Sequence, residues 1–334
     1  MIMLQTRHAH QIAALRHHRL SRAEADEIRI AVLIPCHNEE LAIAKVIADF
    51  FASLPDAIVH VYDNNSTDRT QFVALTAGAV VRNETHQGKG HVVRRMFADI
   101  EADIYVLVDG DDTYDAEAAA CMVRMLAENQ LDMVTAVRLP VGEDAYRRGH
   151  RFGNRVLSFL VCRVFGNRVS DLLSGYRVFS RRFVKSFPAL AVGFETETEF
   201  TIHALELKMP IGEIASTYRS RSAGSRSKLR TVKDGLHILY TILKLVKQER
   251  PLQSFGAAGA VLLAVGLGLG LPVVLHFVET GLVPRLPTAL LATGLVLAAS
   301  LSFVCGLVLQ QVARGRKELK RLAYLAIPAI GAGA

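Results

Sequence analysis

Residues 105–115 read YVLVDGDDTYD. An apolar run, Tyr105 to Val108, gives way at once to four carboxylates: Asp109, Asp111, Asp112 and Asp115. The run has the length of a buried strand and is too short for a helix. Crowded carboxylates repel and raise one another's pKa, so the cluster needs a compensating cation or open solvent. Gly110 allows a tight turn between Asp109 and Asp111. Two carboxylates at that spacing can share a hard divalent cation, whose other positions go to water and phosphate oxygens. Asp109 and Asp111 are therefore the candidate metal ligands, for Mg2+ or Mn2+; the bland alternative is an ordinary acidic turn.

The pattern repeats on either side. RIAVLIP (29–35), Ala57–Tyr62, Ala79–Arg82, Ile104–Val108 and Asp132–Val137 read as strands. Helical stretches separate them over Glu39–Phe51, Gly88–Ile100 and Ala116–Asn129. This alternation predicts an α/β fold, a mostly parallel sheet with helices on both faces. Ligands in such sheets bind beyond the C-terminal strand ends. The clusters PCHNE (35–39), DNNSTD (63–68) and DGDD (109–112) all fall there, on one expected crevice.

The chain has 334 residues, a formal charge of +7 and 51% hydrophobic residues. The hydrophobic excess is concentrated near the C-terminus. Leu252–Val278 and Leu286–Ala313 contain no Asp, Glu, Lys or Arg, and each exceeds the about 20 residues that cross a bilayer as a helix. They are expected as two transmembrane helices joined by a tight hairpin, rather than as a buried pair in a soluble core. Gly and Ala are frequent in both, which suits helix contacts in lipid and leaves room for a homo-oligomer. Lys244, Lys247 and Arg250 precede the first span, and Arg314, Arg316, Lys317, Lys320 and Arg321 follow the second, against Arg285 alone in the hairpin. This asymmetry predicts a multi-pass protein of the inner (cytoplasmic) membrane with residues 1–250 in the cytoplasm.

The expected organisation is a polar extension (1–28), a catalytic domain (29–228), a juxtamembrane amphipathic helix (229–250), the two spans (251–313) and a basic tail (314–334). Residues 1–28 lack the apolar core of a signal peptide, and their histidines read as a solvated or surface-lying helix. Leu229, Val232, Leu236, Leu239, Leu243 and Val246 recur at helical steps, which suits a helix lying in the membrane interface or packing on a protein surface. The four cysteines have no CxxC spacing and read as reduced thiols. Nothing suggests a nucleic-acid partner.

The succession VLIPCHNEE (32–40), DNNSTDRT (63–70), HQGKG (86–90), VDGDD (108–112) and DLLSGYR (171–177) resembles glycosyltransferase family 2. That family has the GT-A fold, a Rossmann-like domain, and transfers sugar from nucleoside-diphosphate sugars with inversion. With two trailing spans, the chain is similar to the polyprenyl-phosphate glycosyltransferases, which include the dolichyl-phosphate mannose synthases and undecaprenyl-phosphate sugar synthases. SRSAGSRSKL (220–229) resembles their basic segment with one additional residue, and Thr113 stands where some relatives have Gln.

The resemblance implies that Pro35, Asn38, Glu39, Asp63, Ser66, Lys89 and Asp109 bind the nucleotide sugar, with Asp63 at the base and Lys89 near base or diphosphate. Asp68 is expected only to cap a turn. Asp109 and Asp111 would be catalytic through the metal, and Asp171 would be the base if one were needed. A phosphate-monoester acceptor, with a second pKa of about 6, needs little basic help and much cationic positioning. Arginine supplies that best, and Arg138, Arg151, Arg155, Arg219 and Arg221 are the acceptor-side candidates. Their alternative role is attraction of anionic lipid. GFETETEF (193–200) offers Glu195, Glu197 and Glu199, either on one face of an extended segment or opening a helix; one of them is a possible site-lining group.

The expected function is metal-dependent, inverting transfer of one sugar, from UDP-sugar in preference to GDP-sugar, to a polyprenyl phosphate, yielding a lipid-linked donor for envelope glycans. The alternatives are transfer to a lipid-glycan or other hydroxyl acceptor, which would require a true general base, a processive synthase, disfavoured by the absence of Trp, and a membrane-anchored scaffold without activity.

Overall fold

The computed structural model describes residues 28–140, 154, 157, 158, 161, 169–193, 195–220, 240, 247 and 250–330. Within them lies one seven-stranded sheet. Its strands are β1 (Ile30–Cys36), β2 (Ile58–Asp63), β3 (Val80–Asn83), β4 (Ile104–Leu107), β5 (Met133–Pro140), β6 (Arg177–Ser180) and β7 (Ile211–Tyr218). The spatial order is β3-β2-β1-β4-β6-β5-β7. β1 runs parallel to β2 and β4, β2 to β3, and β5 to β7. β6 alone is antiparallel, to both β4 and β5.

The helices of this unit are α1 (Ile43–Ser53), α2 (Thr70–Thr76), α3 (Lys89–Asp99), α4 (Ala118–Glu128), α5 (Arg181–Ser186) and α6 (Thr196–Leu207). The period-2 alternation of strands divides the core in two. Val32, Ile34 and Cys36 of β1 pack with Ile47 and Phe50 of α1 and Met122 and Leu126 of α4. Ala31 and Leu33 face the other way, to Val93, Met96 and Phe97 of α3, Phe183 of α5 and Phe200 of α6. The eight expected elements before residue 141 are all present, displaced by at most a few residues. The fold is GT-A-like: an α/β sheet with helices on both faces.

The chain divides into two compact units, residues 1–231 with 323–334, and residues 232–322. The second contains α7 (Pro251–Thr280) and most of α8 (Leu286–Leu325). At 1.5 Å per residue these are about 45 and 60 Å long, more than the roughly 30 Å hydrocarbon core. Only 6% and 17% of their apolar windows are buried, unlike the mostly buried core helix of a soluble protein. They meet through small residues. Ala292, Ala299, Gly306 and Ala313 are buried at seven-residue intervals along α8, a seam of the coiled-coil type. A Cβ on Gly259 would lie 3.1 Å from the Ala299 carbonyl oxygen, and one on Gly266 3.2 Å from that of Ala292. Ser302 donates a hydrogen bond to the Phe255 carbonyl at 2.9 Å.

The basic tail expected from residue 314 is, in its first part, a continuation of α8. Its end belongs to the sheet unit, where the Tyr324 hydroxyl donates to Asp132 Oδ2 at 2.9 Å. The Arg182 guanidinium lies 4.9 Å above the Tyr324 ring and also pairs with Asp132. The polar extension, and the amphipathic helix over 229–250 apart from residues 240, 247 and 250, lie outside the described residues.

Candidate active site

The loops after β1 and β2 are stitched together by side chains. Asn38, at φ 53°, donates its amide to Ser66 Oγ at 2.9 Å and accepts from the Thr67 amide at 2.7 Å. Such a left-handed backbone is tolerated best by Asn after Gly. The Glu39 amide donates to Thr70 Oγ1 at 2.8 Å. Asp68 accepts from the Thr70 amide and hydroxyl and from the Glu40 amide, a turn-holding role as expected. Ser66 thus links two loops. Asp63 Oδ2 accepts from the Ser66 amide at 3.0 Å, while its Oδ1 is buried and has no partner among the described residues. A buried carboxylate oxygen left so calls for a donor. Pro35 lies within β1, paired in register with Tyr62.

Asn64 ties the same region to HQGKG. Its side chain donates to the Glu84 and His86 carbonyls at 2.8 Å each and accepts from the Gly88 amide at 2.7 Å. The two glycines of this motif are required by close approach. Cβ atoms on Gly88 and Gly90 would lie 2.4 Å from the Val192 carbonyl oxygen and 2.2 Å from that of Ala191. Glu199 accepts from the Leu190 and Ala191 amides, and Glu195 from that of Val192. Two of the three glutamates therefore hold this loop while the triplet opens α6, rather than lining an extended face together.

The third does something else. Glu197 Oε1 lies 2.5 Å from Lys89 Nζ, which is also 2.6 Å from Asp109 Oδ1. Burial alone would lower the Lys89 ammonium's pKa, but the Asp109 and Glu197 carboxylates outweigh it and hold the group well above the usual lysine range. Gly175 makes room: a Cβ there would lie 2.5 Å from Asp109 Oδ2 and 3.1 Å from Lys89 Nζ.

Three carboxylates of the acidic turn each meet a protein cation. Asp109 meets Lys89, Asp112 meets Lys45 at 2.7 Å, and Asp115 lies 3.7 Å from Arg219. Asp111, only 3% exposed, accepts from the Thr113 hydroxyl at 2.6 Å. The left-handed backbone falls at Asp112, φ 57°. Gly110 serves instead to let the turn press on β1, since a Cβ would lie 2.7 Å from Cys36 Sγ. As a donor set, Asp109 and Asp111 are all oxygen, which fits a hard divalent ion. No group of three or more His, Cys, Asp or Glu forms a fuller cage among the described residues, so phosphate and water would supply the rest.

Asp171 occupies a different setting from that of a base. It accepts from Arg138 Nε and Nη2, both at 2.7 Å, and from Asn154 Nδ2 at 2.9 Å. Burial would raise its pKa, but these bonds more than offset it and hold the carboxyl below its ordinary value. The same fork commits one edge of Arg138, whose guanidinium also lies 5.5 Å from the Tyr218 ring centroid. Arg219 is half exposed, and its amide donates to the Thr113 carbonyl at 2.8 Å, next to the acidic turn. Arg151, Arg155 and Arg221 lie outside the described residues.

Sequence reasoning left several organisers unassigned. Arg177 is fully buried and donates to the carbonyls of Leu172 and Ser174 and to Thr201, which shapes the DLLSGYR loop; burial pushes its pKa down to about 10. The Tyr114 hydroxyl accepts from the Gly175 amide at 2.8 Å. Both residues stand inside quoted motifs, but nothing in a motif tells a ligand contact from a loop support.

A mixed sheet with acidic and amide groups gathered beyond its C-terminal strand ends is the α/β arrangement in which ligands bind at the strand ends. Residues 31–187 match the family described as Glycosyl transferase family 2. Glycosyltransferase AglJ of Haloferax volcanii is 30% identical over 301 residues, 89% of this chain and 98% of its own length. A dolichyl-phosphate hexose transferase of the same organism is 27% identical over 221 residues, 66% of this chain and 95% of its own. Glucosyl-3-phosphoglycerate synthase of Mycobacterium tuberculosis, solved with Mn2+, UDP and glucosyl-3-phosphoglycerate, superposes with a TM-score of 0.54 at 22% identity, covering 65% of this chain and 79% of its own. The chain belongs to glycosyltransferase family 2.

Proposed function

We propose that this glycosyltransferase moves one sugar from a nucleoside-diphosphate sugar, UDP-sugar in preference to GDP-sugar, to a polyprenyl phosphate at the cytoplasmic face of the inner membrane. The observation that carries the reading is the union, in one chain, of the Lys89–Asp109 pair beyond β4 and the buried Asp63 Oδ1 at the end of β2 with two helices long enough to span a bilayer. The kinship with a dolichyl-phosphate hexose transferase supports it, and the UDP and Mn2+ of the mycobacterial structure support the donor and the ion.

Asp63 offers its unpartnered Oδ1 to an N–H of the base. Asn38, Glu39 and Ser66 shape the loops around the nucleotide. Asp109 and Asp111 would hold Mg2+ or Mn2+, which when bound supplies Lewis-acid charge to the leaving diphosphate. Lys89 adds a fixed positive charge on the same side. The acceptor phosphate is largely ionised at neutral pH and needs no strong base. Asp171, held ionised by Arg138, orients that arginine and with it the acceptor side of the site. Arg219, with Arg151, Arg155 and Arg221, supplies the cations that position the acceptor phosphate.

The test is transfer by detergent-solubilised protein given undecaprenyl phosphate, Mn2+ or Mg2+, and a panel of UDP- and GDP-sugars. A lipid-linked monosaccharide, lost with chelator and in Asp111→Ala, is the expected product. Nucleotide binding without lipid product would instead favour a hydroxyl acceptor.

A further inference from the structure

We infer that Glu197 is a positioning residue that keeps the Lys89 ammonium beside Asp109, so that Lys89 acts as a resident cation with which a divalent ion must share that carboxylate. This rests on the proposed metal role of Asp109 and Asp111.

Four separate segments build the contact. Lys89 opens α3, Asp109 follows β4, Glu197 lies in the first turn of α6, and Gly175 precedes β6. Lys89 spans the two carboxylates at 2.6 and 2.5 Å with its side chain only 10% exposed. Glu197 is 4% exposed, and its Oε2 is buried with no partner among the described residues. A carboxylate placed so is costly unless a nearby cation offsets it, and Lys89 is the cation its other oxygen meets. Gly175 keeps the space open, because any Cβ there would intrude on both Asp109 and Lys89.

The electrostatic consequence has a sign. Lys89 against Asp109, Asp111 and Glu197 leaves a net double negative charge to attract a divalent ion. Glu197→Gln removes one negative charge and leaves Lys89 with Asp109 as its one anionic partner among the described residues, so Mn2+ binds less tightly. Lys89→Met removes the competing cation, so Mn2+ binds the nucleotide-free protein more tightly while UDP binds less tightly. Each change is expected to be at least about tenfold, since unit charges a few ångströms apart at an effective dielectric near 20 interact strongly enough to exceed that. The double variant restores the wild-type net charge and returns Mn2+ affinity close to wild type. It also removes the unpaired buried charge, and so keeps the test readable if Lys89→Met alone does not fold.

The experiment is an Mn2+ titration of full-length protein in detergent without nucleotide, read by the paramagnetic resonance of free Mn2+, with UDP titrations alongside. Opposite shifts for Glu197→Gln and Lys89→Met, with the double variant between them, are expected. Should Lys89→Met be unfolded, Glu197→Gln weaker than the double variant is the expected pair. With a wild type that binds both ligands, Mn2+ affinity unchanged in the single variants, or weakened in both, overturns the positioning role and leaves the transferase reading standing. A wild type that binds UDP but no Mn2+ overturns it too, making Lys89 the permanent counter-ion of Asp109. Failure to bind either ligand removes the nucleotide-sugar reading itself.

Discussion

Arg138 grips both carboxylate oxygens of Asp171, Nε to Oδ2 and Nη2 to Oδ1, each at 2.7 Å, inside the protein. Arg138→Met would leave Asp171 as a buried charge without its cation, at a cost of about 3–5 kcal/mol. The pH dependence follows from the lowered folded-state pKa of Asp171. Its pairing stabilises the fold above the unfolded aspartate value, and this is lost as pH falls through the folded value. Acid unfolding followed by circular dichroism should therefore begin at higher pH in the variant. An unchanged acid midpoint would show that Asp171 adds nothing to the fold.

Asp63 is expected to discriminate between a structural and a ligand-binding carboxylate. Asp63→Asn can keep an oxygen for the Ser66 amide but presents an amide where Oδ1 stood. UDP affinity should fall by about tenfold or more, in line with roughly 1–3 kcal/mol for an unsatisfied buried polar group. Calorimetry measures it. A lowered melting temperature with unchanged UDP affinity would confine Asp63 to turn-holding.

Gly175→Ala places a methyl group 2.5 Å from Asp109 Oδ2. Transfer activity should drop about tenfold or more, equivalent to some 1.4 kcal/mol of transition-state stabilisation. The kinetic comparison is with Gly281→Ala, at a hairpin glycine with no heavy atom within 4 Å of its would-be Cβ, though its φ of 68° makes that change strained. Equal losses in the two variants would argue against crowding as the cause.

Tyr324→Phe removes one hydrogen bond to Asp132, which retains Ser180 at 2.7 Å and Arg182. The cost should be about 1 kcal/mol, read from the urea midpoint of the sheet unit. No shift would mean that the end of α8 contributes no stability there.

Much of this architecture is visible in the chain itself. The run Tyr105–Val108 reads as a buried strand because it is short, apolar and ended by charges, and the two uncharged runs after residue 251 read as helices because a helix satisfies its own backbone should so long an apolar run lie in lipid. β6 and β7 were not legible: Arg177-Val-Phe-Ser180 begins with a charge, and IGEIASTY has weak alternation. Arg177 is accommodated in a strand because the preceding loop's Leu172 and Ser174 carbonyls and Thr201 of α6 receive its guanidinium.

The site divides in the same way. Sequence determined which residue types gather at the strand ends, since parallel strands deliver their C-terminal loops to one edge. It thereby placed Asp63, Asp109 and Asp111 at that edge. Partner choice among charges was decided by tertiary structure alone. Glu195, Glu197 and Glu199 are alike as letters, yet two hold the loop amides and one holds Lys89. The reason is physical: a side chain's charge and reach are local properties, whereas which opposite charge lies 2.5 Å away depends on how segments more than a hundred residues apart pack.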